Sequence, residues 1–367
     1  MRFLPVFLFL IFAFHLPAQE NANKEGEKKA SKPVKVSGRV QVQHFWDSET
    51  TTDASKTNEG FRIRRGRIKI AAEPSEYIKA MIQLEARDNS PRMLDAEVDV
   101  KLNNWTLRAG QYKVPVWREE LRSSGDLLLI ERSIAAEFLA TNLFSARHMG
   151  VELTGKIGIS EVAINVSNGA GEGEREDAGR TKSDELEASS HTNNGKMVSA
   201  RFNLPIMKGV EFGASGSVNQ LGNAIDTVDN RGAAWAAGLD GTYQVDALGG
   251  QVIAEGGLIA GSFAKKILGT NKDRKFKGGD FSVLWQNKFS TPKSGLGGAD
   301  GYELAAGVSY LEPNSLVDED EEWNFRFGPA ILFGPKMRLQ LNGEWIRSTA
   351  SGSETEFALR TQLTVNF

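Results

Sequence analysis

The sequence predicts an all-β fold, a transmembrane antiparallel β-barrel of about sixteen strands. Three features predict it: apolar residues at every second position with aromatics on the apolar face, an export signal at the N-terminus, and connections that alternate between long and short.

The alternation is plainest at the C-terminal end. Phe357, Leu359, Thr361, Leu363, Val365 and Phe367 interleave with Glu356, Ala358, Arg360, Gln362, Thr364 and Asn366. Successive strand side chains point to opposite faces, so one face is apolar and the other polar. The run is long enough to cross a bilayer as a tilted strand. Met337, Leu339, Leu341 and Trp345 alternate in the same way with Lys336, Arg338, Gln340, Asn342 and Glu344. Trp323, Phe325, Phe327, Pro329, Ile331 and Phe333 alternate with Asn324, Arg326, Gly328, Ala330 and Leu332. A water-soluble sandwich rarely carries so many aromatics on one strand face, whereas aromatics near strand ends fit an interfacial girdle. A weaker version of the period places strands over 34–46, 60–72, 77–87, 92–102, 105–113, 148–156, 159–167, 196–204, 210–220, 233–244, 249–260, 278–289, 300–310, 322–333, 336–347 and 355–367. An even count returns both chain ends to the periplasmic side.

The export signal occupies residues 1–18: Arg2, an apolar run over 3–14, and Leu16-Pro17-Ala18 as a cleavage site. Residues 19–33, rich in Lys, Glu and Ala, are expected to form a flexible periplasmic tether, leaving 34–367 for the barrel. Nothing else approaches the roughly 20 apolar residues of a spanning helix. Mean hydropathy is negative, which suits a barrel because only every second strand residue meets lipid.

If the first strand rises from the periplasm, the outer connections include 47–59, 114–147, 168–195, 221–232, 261–277 and 311–321, while the inner ones are mostly tight, such as Asn103-Asn104, Gly158 and Gly334-Pro335. Long outside and short inside is the asymmetry expected of such barrels. About sixteen strands leave a water-filled lumen. The third outer connection, 114–147, carries Leu127-Leu128-Leu129-Ile130 and Ile134-Ala135-Ala136-Glu137-Phe138-Leu139, both candidates for short helical turns. So apolar a segment is expected to fold against the inner wall and narrow the pore. It holds Arg118, Arg122, Arg132 and Arg147 against Glu119, Glu120, Asp126, Glu131 and Glu137, a near balance that suits either ion pairs to the wall or contacts with solute.

The run Gly60-Phe61-Arg62-Ile63-Arg64-Arg65-Gly66-Arg67-Ile68 resembles the arginine-rich second strand of the phosphate-selective porin O and P family. Gly110-Gln111-Tyr112-Lys113-Val114-Pro115, then Glu120, Ser123 and Ile130-Glu131-Arg132-Ser133, resembles that family's passage into its third loop. Arg147-His148-Met149-Gly150-Val151 resembles the return, and Phe367 is similar to the C-terminal aromatic used in outer-membrane assembly. The resemblance implies a sixteen-stranded trimeric porin of the bacterial outer membrane that passes small anions. It carries Arg62, Arg64, Arg65, Arg67 and Lys113 over as the residues that draw anions inward; later central lysines have no equal match. It therefore supports the architecture better than it supports phosphate.

Charge counted by face adds to this. The polar faces of the last three and first three strands carry Arg326, Lys336, Arg338, Arg360, Lys35, Arg39, Arg65, Arg67, Lys69, Lys79 and Arg87 against Glu344, Glu356 and Glu85. Strand four and strands six to thirteen carry mainly acids, Asp95, Glu97, Asp99, Glu152, Glu161, Glu211, Asp240, Glu255, Asp280 and Glu303, with Lys101, Lys156, Arg201 and Lys288. One basic wall facing one acidic wall sets up a transverse field, and rows of Arg and Lys favour anions. Five bases within 62–69 without an acid repel one another unless something anionic compensates. With Gly66, Ile68 and Ile70 facing lipid, Arg65, Arg67 and Lys69 face the lumen. Arg62 and Arg64 then face outward near headgroups, unless Arg64-Arg65 marks a bulge.

Other chemistries have little support. Net charge is −3, near −4 without the leader, so nothing global argues for nucleic acid. The chain has no cysteine and hence no thiolate metal site. His44, His148 and His191 are scattered and form no metal-binding pair. The acidic run 318–322 lacks the glycine and spacing of a calcium loop. Ser145 is close to His148 in sequence, which does not by itself establish hydrogen-bond geometry, and catalysis, metal and cofactor are not expected. The expected function is passive diffusion of small hydrophilic solutes with an anion preference, through a barrel set in outer-membrane lipid and lipopolysaccharide. The competing readings are a structural or adhesive barrel plugged by its third loop, and a channel specific for phosphate or polyphosphate.

Overall fold

The computed structural model describes residues 33–48, 58–87, 91–170, 180–182, 190–225, 228–349 and 355–367. The expected signal peptide and all but the last residue of the expected tether lie outside them.

The strands are β1 (Lys35–Asp47), β2 (Glu59–Ala72), β3 (Ile78–Glu85), β4 (Arg92–Leu102), β5 (Trp105–Lys113), β6 (Arg147–Ile157), β7 (Ser160–Ser167), β8 (Met197–Met207), β9 (Val210–Leu221), β10 (Gly232–Ala247), β11 (Gly250–Phe263), β12 (Arg274–Lys293), β13 (Ala299–Glu312), β14 (Glu322–Phe333), β15 (Met337–Ser348) and β16 (Glu356–Asn366). Each pairs antiparallel with its neighbours in chain order. The sheet closes where β1 meets β16, from Arg39 opposite Asn366 to Asp47 opposite Ala358. Closure satisfies every ladder and leaves no edge, the condition for a sheet to sit in lipid.

The sixteen expected strands are all present, with shifted ends. The largest difference is β12, expected over 278–289 but running from Arg274 to Lys293. Its extra residues at the first end pair with β11 as far as Phe263 opposite Arg274, carrying the sheet beyond the apolar run that marked it in the sequence. Short ribbons, Arg180–Lys182 with Ser190–Thr192 and Ala224–Ile225 with Val228–Asp229, lie within the long connections.

Alternation sorts the faces. On β1, Val36, Val40 and Val42 are exposed outward while Gln41 and Gln43 are fully buried inside. Aromatics mark both rims of the exterior. Trp46 and Trp345 pack on Phe357 at 5.8 and 5.0 Å on the long-connection side, and Tyr302 packs on Trp285 at 5.4 Å on the short-turn side. Amphipathic rings at two heights suit the two membrane–water boundaries.

Two backbone irregularities shape the interior. Gln41 pairs with Arg65 but Val42 pairs with Ile63, so Arg64 is an inserted residue. This is the bulge that the sequence left open, and it turns Arg62, Arg64 and Arg65 inward while Phe61 and Ile63 stay outside. On β5, Gly110 adopts φ +128°, and a Cβ there would come within 2.0 Å of the Ala96 carbonyl oxygen. Only glycine fits.

Between β5 and β6, residues 114–147 contain α1 (Arg118–Leu121) and α2 (Ile134–Thr141). The Ser133 hydroxyl caps α2 by accepting from the Ala136 N–H, and Glu119 in turn accepts the Ser133 N–H at 3.0 Å. Residues 127–130, a candidate for a short helical turn, contain no helix and bend over 128–130. Their leucines face the wall, where Leu128 and Leu129 pack with Leu284 and Ala305, which a helix would prevent for half of them. Trp117, Phe138, Leu139 and Phe144 are buried with Ala236, Ile259, Phe263 and Phe276 of β10–β12. Phe138 packs on Phe276 at 4.8 Å and Phe144 on Phe263 at 5.2 Å, both with tilted rings. Each such side chain contributes about 1.5–3 kcal/mol on burial, so packing alone holds this half of the segment strongly.

Candidate functional site

The candidate site is where 114–147 meets the inward faces of the wall. Its polar contacts divide by sign. On the acidic side, Arg118 donates to Asp240 of β10 at 3.1 Å and Glu211 of β9 at 3.0 Å, and Arg122 pairs with Glu255 of β11. On the basic side, Glu131 accepts Nε and Nη2 of Arg64 at 2.9 and 2.8 Å, accepts Gln43 at 3.1 Å, and lies 3.6 Å from Arg62. Its backbone carbonyl accepts Arg326 of β14 at 2.8 Å. A planar fork against a carboxylate is the strongest of these geometries.

The sequence-expected bases fall into distinct groups. Arg326 is 2% exposed, whereas Arg338 gives its donors to the carbonyls of Leu127 and Leu128, pairs with Glu303 at 2.6 Å, and still borders a cavity of about 260 Å³ beside Lys336 and Asn366. The segment covers them, which alternation cannot reveal. Arg360 pairs with Asp47 at 3.1 Å and lies 3.3 Å from Glu344. Arg39 donates to Asn366, Ser123 and Ser124. Lys113 donates to the carbonyls of Glu120 and Arg122, and Arg132 pairs with Glu120 at 3.0 Å, so the segment is tied to its own root. Arg67 pairs with Glu85 at 2.8 Å and donates to Ser124. Arg65 donates to Gln41 at 2.8 Å, and its buried Nε has no partner. Lys69 faces the lumen without an ion pair among the described residues.

One interior charge escaped the sequence reading. Arg108 of β5 faces Asp99 at 2.8 Å, Glu152 at 3.3 Å and Glu97 at 3.4 Å. The alternation of β5 carries the signal, because Thr106 and Arg108 fall on one face of the strand.

Burial alone would raise the Glu131 carboxyl. The hydrogen bonds and charge of Arg64, with help from Arg65 and Gln43, more than reverse this and hold it at about 2. A depressed carboxyl contributes stability fully above its ordinary value of 4.5 and loses it as pH falls toward 2. Anchorage at Glu131 is therefore expected to be constant from about pH 7 to 5 and to weaken only below about pH 4. Recording unit conductance across that range checks it, and a step near neutrality would rule Glu131 out as the controlling anchor.

A family model described as phosphate-selective porin O and P matches residues 34–234, more than half of the chain. Among solved structures, the chain is similar to the anion-selective porin from Comamonas acidovorans, at 10% identity, covering 91% of this chain and 99% of that one, with a TM-score of 0.62. It is similar to the outer-membrane channel DcaP of Acinetobacter baumannii at 11% identity, covering 91% and 97%, with a TM-score of 0.59. It is also similar to in-vitro folded OmpT of Vibrio cholerae, trimer form, at 9% identity, covering 91% and 99%, with a TM-score of 0.58. At these identities the likeness shows the fold. A search of curated proteins finds no match.

Proposed function

The chain belongs to the phosphate-selective porin O and P family, a channel of the bacterial outer membrane, and on that premise we propose that it passes small hydrophilic solutes by passive diffusion with a preference for anions. Segment 114–147 is the constriction. The observation that carries the reading is the bulge at Arg64, which brings Arg62, Arg64, Arg65 and Arg67 to one inner face. Glu131 and Glu85 answer three of these charges; the fourth, Arg65, is buried and acts through its field, while Lys69 on the same strand is partly exposed to the lumen. Arginine presents a fork suited to carboxylate, sulfate or phosphate oxygens. The trimeric form named for OmpT supports a homotrimer, and lipopolysaccharide is the expected partner of the aromatic outer rim.

The number of anchors around 114–147 favours a second reading, a structural or adhesive barrel plugged by that segment. Planar-bilayer recording separates the two, because a plugged barrel gives no conductance steps. In a KCl gradient the reversal potential should report anion preference, and replacing Arg65 and Arg67 together by Ala should move it toward the cation side. An unchanged potential would remove both residues from the selectivity argument. Block of chloride current by low phosphate would narrow the solute to oxyanions of that kind.

A further inference from the structure

On the outer face of the barrel, a groove of about 850 Å³ crosses β11 and β12 between β10 and β14. Ala260 and Gly279 form its floor, and Leu258, Phe281, Tyr310 and Trp323 its sides. A Cβ at Gly279 would lie 2.6 Å from the Gly257 carbonyl oxygen and 2.8 Å from Leu258, so a side chain there would have to displace the neighbouring strand. The aromatic rim opens at this place. Trp235 stands at the outer end of β10, and Tyr310 packs on Trp323 at 4.8 Å at the outer ends of β13 and β14. From β10 to β13 is three strand spacings, about 14 Å. Across β11 and β12, no outward ring stands at the outer ends among the described residues.

Lysines take the place of the rings. Residues 264–277 hold five lysines and Arg274 against one acid, Asp273, in a chain whose net charge is −3. All five lysines are exposed. Glu312 takes Lys277 at 2.7 Å and Asp229 takes Lys266 at 3.3 Å, while Lys265, Lys272 and Lys275 have no ion pair among the described residues. The acidic run at 318–322 lies in the next connection and leaves these three unanswered. Along the outward face of β12 the order is Lys275, Lys277, Gly279, Phe281, so charge at the outer end gives way to the apolar groove toward the membrane interior. We propose that the groove seats an acyl chain of a phosphorylated outer-leaflet lipid, the lipid A of lipopolysaccharide, with its phosphate on Lys275 and Lys277. The proposal gives the lipopolysaccharide expected at the aromatic rim a definite seat; it rests on the outer-membrane reading and not on conduction.

The test is retention of lipid A by the full protein in detergent, read by native mass spectrometry beside phosphatidylethanolamine. Lipid A should stay bound at concentrations where phosphatidylethanolamine is lost. Lys275→Ala with Lys277→Ala should weaken lipid A about ten-fold: each surface lysine is worth roughly five-fold against an anionic lipid, and Glu312 already screens Lys277. Ala260→Phe, at an outward and exposed position, should fill the groove and weaken lipid A as well. Equal retention of both lipids, or lipid A binding that Ala260→Phe leaves unchanged, would overturn the seat. Displacement of lipid A by inorganic phosphate would overturn it too, making the lysines a free-phosphate site. So would loss of the oligomer in Ala260→Phe with lipid A retained, which would give the groove to a second copy. Both variants should keep the parent's conductance, because the groove lies outside the lumen. A parent without conductance steps would overturn the channel reading and leave the lipid seat standing.

Discussion

Replacing Glu131 by Ala is expected to loosen segment 114–147 and raise the unit conductance. The carboxylate joins the segment to β1 and β2 through Gln43, Arg64 and Arg62, and the neighbouring carbonyl extends the anchor to β14. Removing it strands two inward arginines beside Arg65. Breaking one side of a buried pair costs about 3–5 kcal/mol; Glu131 and Arg64 are each 21% exposed, which screens the pair and brings the cost to roughly 2 kcal/mol. Packing around Phe138 and Phe144 stays, so the segment should swing from its β10–β12 root rather than leave the lumen. Glu131→Gln keeps the shape and should show a smaller rise. Single-channel recording of both variants is the check, and a conductance equal to the parent's would mean that the apolar contacts alone set the aperture.

The anchors follow one electrostatic rule. The walls are charged oppositely, and the segment places its own charges to match: Arg118 and Arg122 against β9–β11, Glu131 against β2. A nearly neutral segment aligned across a transverse field gains at both ends, whereas the reverse docking would set like charges together. Sequence order therefore carries orientation. The bases at 118 and 122 come first and the acid at 131 comes last, so only one way of laying the segment across the lumen pairs both.

Much of the barrel was legible because lipid imposes a strict period. Each of β14–β16 displays apolar and polar residues in alternation, and the burial of Asn324, Arg326, Gln340, Asn342 and Gln362 follows that phase. What alternation cannot report is what lies inside the ring. Arg326 and Arg338 have the same inward phase as Lys69, yet the first two are covered by backbone from 127–131 and the third is not. The identity of an inward residue depends on a segment about 200 positions away in sequence. The bulge at Arg64 was foreseeable only as an alternative, because one inserted residue leaves the composition of the strand unchanged while reversing the face of everything before it.

Asp240→Asn is expected to destabilise the barrel more than any change in the basic face. Asp240 is 5% exposed. It accepts both terminal nitrogens of Arg201 at 2.7 Å and the Nε of Arg118 at 3.1 Å. One carboxylate thus satisfies a wall arginine and the first anchor of the segment. Neutralising it leaves Arg201 charged, buried and without a counter-ion, and its Nε already lacks a partner. The loss should reach about 3–5 kcal/mol, the cost of breaking a buried pair from one side. Arg118→Ala should cost less, because Asp240 keeps Arg201. Asp229→Asn removes an exposed partner of Arg231 and Lys266 and should change nothing measurable, since solvent screens that pair. The temperature at which folded barrel converts to unfolded chain on unheated-versus-heated denaturing gels orders the three variants. If Asp240→Asn melted with the parent, water in the lumen would be replacing the carboxylate, and the Arg201–Asp240–Arg118 chain would be solvated rather than structural.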